Sequence, residues 1–248
     1  MNDKLKDLVA GLDLQTDLWW LALILTGFLA SFLAAFAFPD AGAFWVYLAV
    51  FVRLCMTVCL SQQPWGAVFG RLLSLGLVTG LFSIFGDYLL VNWHERGQRV
   101  YPDRAGALFL ESPLYIPLLW ACSIVELGYA IVRIHGFLAR HLGAEAAARA
   151  TMVTGGGLAA IWTACTDFWA VKAGWWSYRP GEAILGGACA LYVVIACFIV
   201  FFSFLPIFMR YLACPVGRVY ASVRYGVILG GIIFASYVAA HGLVERRL

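Results

Sequence analysis

Charge is what this sequence has little of. Lys and Arg number 17 and Asp and Glu 14 in 248 residues, 12% of the chain, against an ordinary share of roughly 25%. So few charges cannot cover the surface of a soluble domain this long, which argues against a soluble enzyme or a disordered linker. The net charge of +3 is spread along the whole chain and forms no basic stripe that could follow a phosphate backbone, so no nucleic-acid partner is expected.

Metal and nucleotide motifs are missing as well. The 7 cysteines contain no C-x-x-C and sit almost entirely inside apolar runs, where they read as small buried hydrophobes. Cys55 and Cys59 stand one helical turn apart, but thiols without a neighbouring His or carboxylate make a poor metal site. The histidines, His94, His135, His141 and His241, form no paired motif of the kind a membrane di-iron desaturase needs. Neither a metal nor another cofactor is expected. The first apolar run continues into a chain with several more such runs, so it reads as a retained span.

Apolar residues are what the chain has in abundance: 63% hydrophobic, 16% aromatic, with a mean hydropathy of +0.85. Crossing about 30 Å of hydrocarbon takes roughly 20 apolar residues in a helix. Seven runs meet that length: Leu18–Phe38, Phe44–Leu60, Leu72–Val91, Pro113–Arg133, Thr151–Val171, Ile184–Met209 and Val223–His241. The expected fold is therefore all-α, a single transmembrane domain over residues 1–248, with the lipid bilayer as its first partner. Loops on the N-terminal side hold slightly more Lys and Arg than those opposite, which favours a cytoplasmic N-terminus in a bacterial inner membrane. Oligomeric state is left open.

Two of the runs end alike, Gly86-Asp87-Tyr88-Leu89-Leu90-Val91 and Thr166-Asp167-Phe168-Trp169-Ala170-Val171. Each aspartate is followed across a short loop by a tyrosine, Tyr101 or Tyr178, and then at equal further spacing by a second, Tyr115 or Tyr192. This echo predicts an internal helix-loop-helix repeat, units 72–133 and 151–210, related about an axis along the membrane normal, with a site between the units. The loops Asn92 to Ser112 and Lys172 to Ala183 should then lie together on one face.

An ionisable side chain at the centre of a span costs at least about 2.5 to 3.5 kcal/mol, so each one needs a partner or a task. Glu126 lies about 20 Å into the fourth run by the helical rise, and Arg53 lies near the middle of the second, so the two could form a structural or catalytic ion pair. Asp87 and Asp167 sit about one turn inside their span ends, where each could equally reach headgroup water. Glu111 precedes Pro113 at the start of the fourth run, either as a carboxylate favoured by the helix N-terminus or as an acid bordering a lipid-facing cavity. Aromatics gather around the same face, among them Trp93, Tyr101, Phe109, Tyr115, Trp120, Trp176, Tyr178 and Tyr192. They can be an interfacial belt, or a wall whose ring faces stabilise cations without attacking them.

The stretch Asp167-Phe168-Trp169-Ala170-Val171-Lys172-Ala173-Gly174-Trp175-Trp176-Ser177-Tyr178 resembles the D-x-x-A-x-x-x-G-x-W-x-[FY] signature of the membrane lycopene cyclase domain. That family shares its repeat logic with the carotenoid (bisanhydrobacterioruberin) hydratases. The resemblance covers residues 86 to 200. It implies an integral-membrane isoprenoid cyclase or hydratase in which a carboxylic acid protonates a terminal C=C, and the cation is quenched by ring closure and proton loss or by water. Such an acid must be neutral at pH 7, which burial can supply. The family follows its signature with a proline and paired acids, whereas Gly186 to Tyr192 contains no acid here. In the first unit Glu111 and Pro113 occupy the corresponding zone in reversed order. Gly86-Asp87 with Pro113-Leu114-Tyr115 is also similar, more loosely, to the sterol isomerase and sigma-2 receptor superfamily.

The reading is a membrane enzyme carrying out acid-initiated, cofactor-independent cyclisation, hydration or double-bond isomerisation of a lipid-soluble terpenoid. Glu111 is the expected donor, Asp87 and Asp167 are relay or cation-stabilising carboxylates, and Trp176, Tyr178, Tyr101, Tyr115, Tyr192 and Trp120 form the substrate wall. The competing readings are a non-catalytic protein that binds a lipid or pigment or serves as a subunit of a membrane complex, and a small-molecule transporter.

Overall fold

In a computed structural model, the described residues are Leu5, Leu8, 11–37, 42–92, 99–102, 108–179, 184–185 and 188–244. They form an all-α bundle: α1 (Leu14–Phe36), α2 (Gly42–Ser61), α3 (Ala67–Asn92), α4 (Tyr115–His141), α5 (Ala144–Lys172), α6 (Leu191–Phe202), α7 (Phe204–Ala213) and α8 (Arg218–Val244). Among the described residues, six helical segments are long and apolar enough to cross a membrane, α6 and α7 counting as one. The expected fifth span, now within α5, falls short of that mark, because Gly155, Gly156, Gly157 and several threonines dilute its apolar character.

The helix faces explain why the bundle belongs in lipid. Along α1, Leu14, Leu18, Leu21, Leu25, Leu29, Phe32 and Phe36 recur every three or four residues, and all are exposed. At that spacing they form one stripe, which in a soluble helix would be the core face. Here it points outward, a large apolar surface of the kind that marks membrane contact. Cys55, Cys59 and Cys165 are exposed as well, so only some of the cysteines are the buried hydrophobes expected.

Helices α3, α4, α5, α6 and α8 pack in a ring, each against the next, with α8 closing on α3; outside it α2 lies against α3 and α4, and α1 against α4 and α5. Glycines allow the close contacts. Gly76 and Gly80 of α3 face the α4 backbone at Ala121 and Pro117, while Gly226 and Gly230 of α8 face Val78 and Phe82 of α3. Both are G-x-x-x-G pairs, the small-residue device that lets membrane helices approach. The start of α1 is fixed by a capping box between Asp13 and Thr16, with the exposed Asp13 carboxyl held below its usual range by the Thr16 backbone N–H. Further along, Asp17 accepts from Tyr129 at 2.6 Å and Arg133 at 2.7 Å, and the Trp20 indole donates to the Glu126 carbonyl at 2.8 Å, docking α1 on α4.

The expected sixth span needs the largest correction. Its first residues are not helical: Ile184–Leu185 (β5) pairs with Cys189–Ala190 (β6), and the helix begins only at Leu191. It then breaks at Ser203, where α6 ends and α7 begins. Pro206 lies in the first turn of α7 and cannot donate back across that break. The loop after α3 likewise holds a hairpin, Leu108–Phe109 (β2) with Ser112–Pro113 (β3). Between the two loops Arg99–Val100 (β1) pairs antiparallel with Ser177–Tyr178 (β4). The two loops therefore do meet on one face, as expected.

Candidate functional site

A cavity of about 120 Å³ opens among α1, α2, α4 and α5, with α6 and α8 contributing one or two residues each. Its loop end is lined by Arg99, Trp175, Trp176 and Asp167, and its deeper end by Arg53 and Glu126. Glu126 lies about 16 Å along α4 from Tyr115 by the helical rise, so the cavity reaches from the loop face toward the middle of the bundle. Trp120, Trp162 and Phe28 line it between the ends, and Trp169 lines it near the loop end. The site was expected between the α3–α4 and α5–α6 units. The cavity lies between α4 and α5, with α1 and α2 as one wall and, among the described residues, no lining from α3.

At the loop end one arginine organises the polar side chains. Arg99 is held by the β1–β4 pairing, which sets it opposite Tyr178. Its Nη1 meets Asp87 Oδ1 at 3.1 Å, and its Nη2 donates to the Tyr178 hydroxyl at 2.9 Å. Its guanidinium carbon sits 4.8 Å from the centre of the Trp176 ring, a cation–π contact. Burial works against the charge of Arg99, but the surrounding Tyr178, Tyr101, Asp87 and Asp167 outweigh it and hold the guanidinium well above its ordinary pKa.

The two aspartates have different tasks. Asp87 accepts from Arg99, from the Tyr101 hydroxyl at 2.7 and 2.8 Å, and in a short contact from Ser112. It does not line the cavity. Asp167 does, and is 4% exposed; its Oδ2 accepts from Tyr178 at 2.7 Å. Burial pushes the phenols of Tyr101 and Tyr178 well above their usual range, Tyr101 further through Asp87. Both therefore act as O–H donors to these carboxylates.

Arg53 and Glu126 meet at the deep end, Nη1 to Oε1 at 3.0 Å, so the pair expected from the sequence is formed. Gly27 of α1 makes room for it, since a Cβ there would lie 2.6 Å from Arg53 Nη1. Cys122 of α4 interacts with the same guanidinium.

The remaining expected residues divide by layer. Trp120 and Trp176 line the cavity. Tyr101 and Tyr178 stand behind it on the aspartates. Tyr115 is buried and donates to the Trp175 carbonyl at 2.6 Å, which fixes the segment bearing both tryptophans. Tyr192 is buried against the His241 ring, 5.2 Å between centroids, away from the cavity lining. Glu111 is exposed at the tip of the β2–β3 hairpin and borders no part of the cavity. Leu110 and Glu111 have φ of 50° and 63°, the pair of left-handed residues that a two-residue hairpin turn demands. Phe109 is exposed beside them, and Trp93 lies outside the described residues.

Sequence reasoning overlooked Arg99, which looked like one more loop charge, and the α1 wall of Gly27, Phe28 and Ser31. A signal for that wall was present in the small and polar residues Thr26, Gly27 and Ser31, grouped in an otherwise apolar run.

No curated protein and no solved structure matches the chain. The stretch from the end of α3 through α8 carries Asp87, Arg99, Glu126, Asp167 and Tyr178, and it coincides with a family of proteins. The chain belongs to the family described as a domain of unknown function, DUF6989, whose model matches residues 84–244.

Proposed function

We propose that the chain is a multi-pass membrane enzyme that starts the cyclisation, hydration or double-bond isomerisation of a lipid-soluble terpenoid by proton transfer from Asp167. The observation that carries this reading is a carboxyl buried in an aromatic-walled cavity, Asp167 among Trp120, Trp162, Trp169 and Trp176. On this reading α5 is the seventh span, and the element order helix, strand, hairpin, helix, found in 67–141 and again in 144–202, reflects an internal repeat. The likeness of Asp167 to Tyr178 to the membrane lycopene cyclase signature supports the same reaction class.

The chemistry needs only this chain's side chains and the substrate. Tyr178 donates to Oδ2 of Asp167 and the buried Cys189 thiol also lies against this carboxyl; on this reading Asp167 carries the proton that passes to the substrate. Proton transfer to a terminal C=C forms a C–H bond and a tertiary cation. An internal alkene then attacks to close a ring, or water adds. Proton loss returns Asp167 to its acid form, so nothing is consumed beyond the water of a hydration. The tryptophan faces stabilise the cation without forming bonds to it. Asp87 acts as a positioning residue that fixes Arg99, and Arg99 in turn orients Tyr178.

Expression in hosts that accumulate linear polyprenes, hydrocarbons in some and carbonyl-bearing isoprenoids in others, followed by chromatography of the extracts, tests the proposal. The expected result is a new, isomeric or hydrated product that disappears with Asp167→Asn and persists with Glu111→Gln. Unchanged extracts across several polyprene-producing hosts would sink it.

A further inference from the structure

The cavity is walled mainly by rings and aliphatic groups, yet unpartnered polar atoms collect around it. Among the described residues, buried side-chain atoms without a hydrogen-bond partner include Arg53 Nε, Arg99 Nε, Trp175 Nε1, Trp176 Nε1 and Glu126 Oε2. All five belong to cavity-lining residues, and each residue is more than nine-tenths buried. Leaving a buried donor unpaired is costly, and four of these five atoms are N–H donors. A hydrocarbon ligand would seal them in permanently.

Three of the donors lie together at the loop end. The Arg99 guanidinium is stacked on Trp176 at 4.8 Å, and the Trp175 and Trp176 rings are 6.3 Å apart. Charge decides what kind of acceptor they suit. Arg99 already faces Asp87 at 3.1 Å and Arg53 faces Glu126 at 3.0 Å. Each cation is matched by a carboxylate and Asp167 adds no positive charge in either form, so the cavity has no excess positive charge to attract an anion.

Resting on the reading of this cavity as a terpenoid site, we infer that its ligand is an isoprenoid lipid bearing a neutral carbonyl-type oxygen, bound at the loop end by the N–H groups of Trp175, Trp176 and Arg99. A pure hydrocarbon polyene is not the preferred ligand. The oxygen sets which end of the chain enters the cavity, and so which double bond meets Asp167.

Tryptophan fluorescence quenching and thermal shift of the full chain in detergent test this with two probes, geranylgeranylacetone as an isoprenoid ketone and squalene as an isoprenoid hydrocarbon. The ketone is expected to bind about ten-fold more tightly. Trp175→Phe and Trp176→Phe keep a ring and remove a donor, and each should weaken ketone binding about five-fold while weakening squalene binding less than about two-fold. Equal affinity for the two probes, no binding of either, or ketone affinity indifferent to both substitutions would overturn the inference. Selective ketone binding by a protein that yields no product in the expression test would leave the inference standing while the catalytic reading fails.

Discussion

Tyr178 donates its hydroxyl proton to Asp167 Oδ2 at 2.7 Å, and its oxygen accepts from Arg99 Nη2 at 2.9 Å. The single hydroxyl therefore joins the cavity carboxyl to the loop-face cation. Tyr178→Phe keeps the ring but removes both bonds, leaving two buried polar groups each short of a partner. A buried group that loses its partner costs about 1–3 kcal/mol, so a drop in melting temperature is expected. If Asp167 is the acid, product formation should fall much further than the loss of folded protein accounts for. Activity that merely tracks the folded fraction would assign Tyr178 a packing role alone.

Asp87 is the carboxylate that contacts Arg99, Nη1 to Oδ1 at 3.1 Å. Asp87→Asn preserves size and, with its oxygen at the Oδ2 position, one bond each from Tyr101 and Ser112, but leaves Arg99 without its contacting carboxylate. Removing one member of a buried pair typically costs about 3–5 kcal/mol. Denaturation in mixed detergent should show destabilisation of that order, and Arg99→Met in the same background should recover much of it. Failure of the second substitution to recover stability would mean that Asp87 acts through Tyr101 and Ser112 and not through the arginine.

How much of this could be read from the sequence follows from the range of each signal. Periodic apolar runs located the helices, because hydrophobic periodicity is a local property of the chain. Arg53 and Glu126 were recognisable as a pair because each is expensive alone in a span. The β5–β6 hairpin was hidden in an apolar stretch, Ile184 to Tyr192, whose composition suits a span as well as a strand. Arg99 was hidden for another reason: its importance comes from the β1–β4 pairing, which joins segments far apart in the chain. Glu111 misled because a carboxylate before a proline suggests a helix start, whereas the chain uses Leu110-Glu111 as a hairpin turn.

That turn supplies a direct test of where the acid lies. Leucine and glutamate in left-handed backbone cost roughly 1–2 kcal/mol each, and Asn-Gly is the pair such turns prefer. Combining Leu110→Asn with Glu111→Gly should stabilise the hairpin, raise the melting temperature and leave product formation intact. Loss of product with a raised melting temperature would return the donor role to Glu111.

Glycine packing provides a contrast within the bundle. A Cβ on Gly80 would lie 2.0 Å from the Pro117 carbonyl oxygen, which is backbone and cannot swing aside, whereas one on Gly231 would meet nothing within 4 Å. Gly80→Ala should therefore force α3 away from α4, an overpacking change that costs about 1–3 kcal/mol or more. Gly231→Ala should be neutral or mildly stabilising. Equal melting temperatures for the two variants would contradict the close α3–α4 approach.

Arg53 and Glu126 separate stability from ligand binding. Each alone leaves the other as an uncompensated buried charge, so Arg53→Met and Glu126→Leu should each destabilise the protein by about 3–5 kcal/mol. Together they replace a buried ion pair with apolar side chains of similar volume, an exchange that is often neutral or stabilising. The double variant should thus melt close to the parent and well above either single variant. It should also keep its ketone preference, because the proposed oxygen site lies at the Arg99 end of the cavity, with Trp175 and Trp176. A stable double variant that binds ketone and hydrocarbon equally would move the oxygen to the deep end, onto Arg53 Nε.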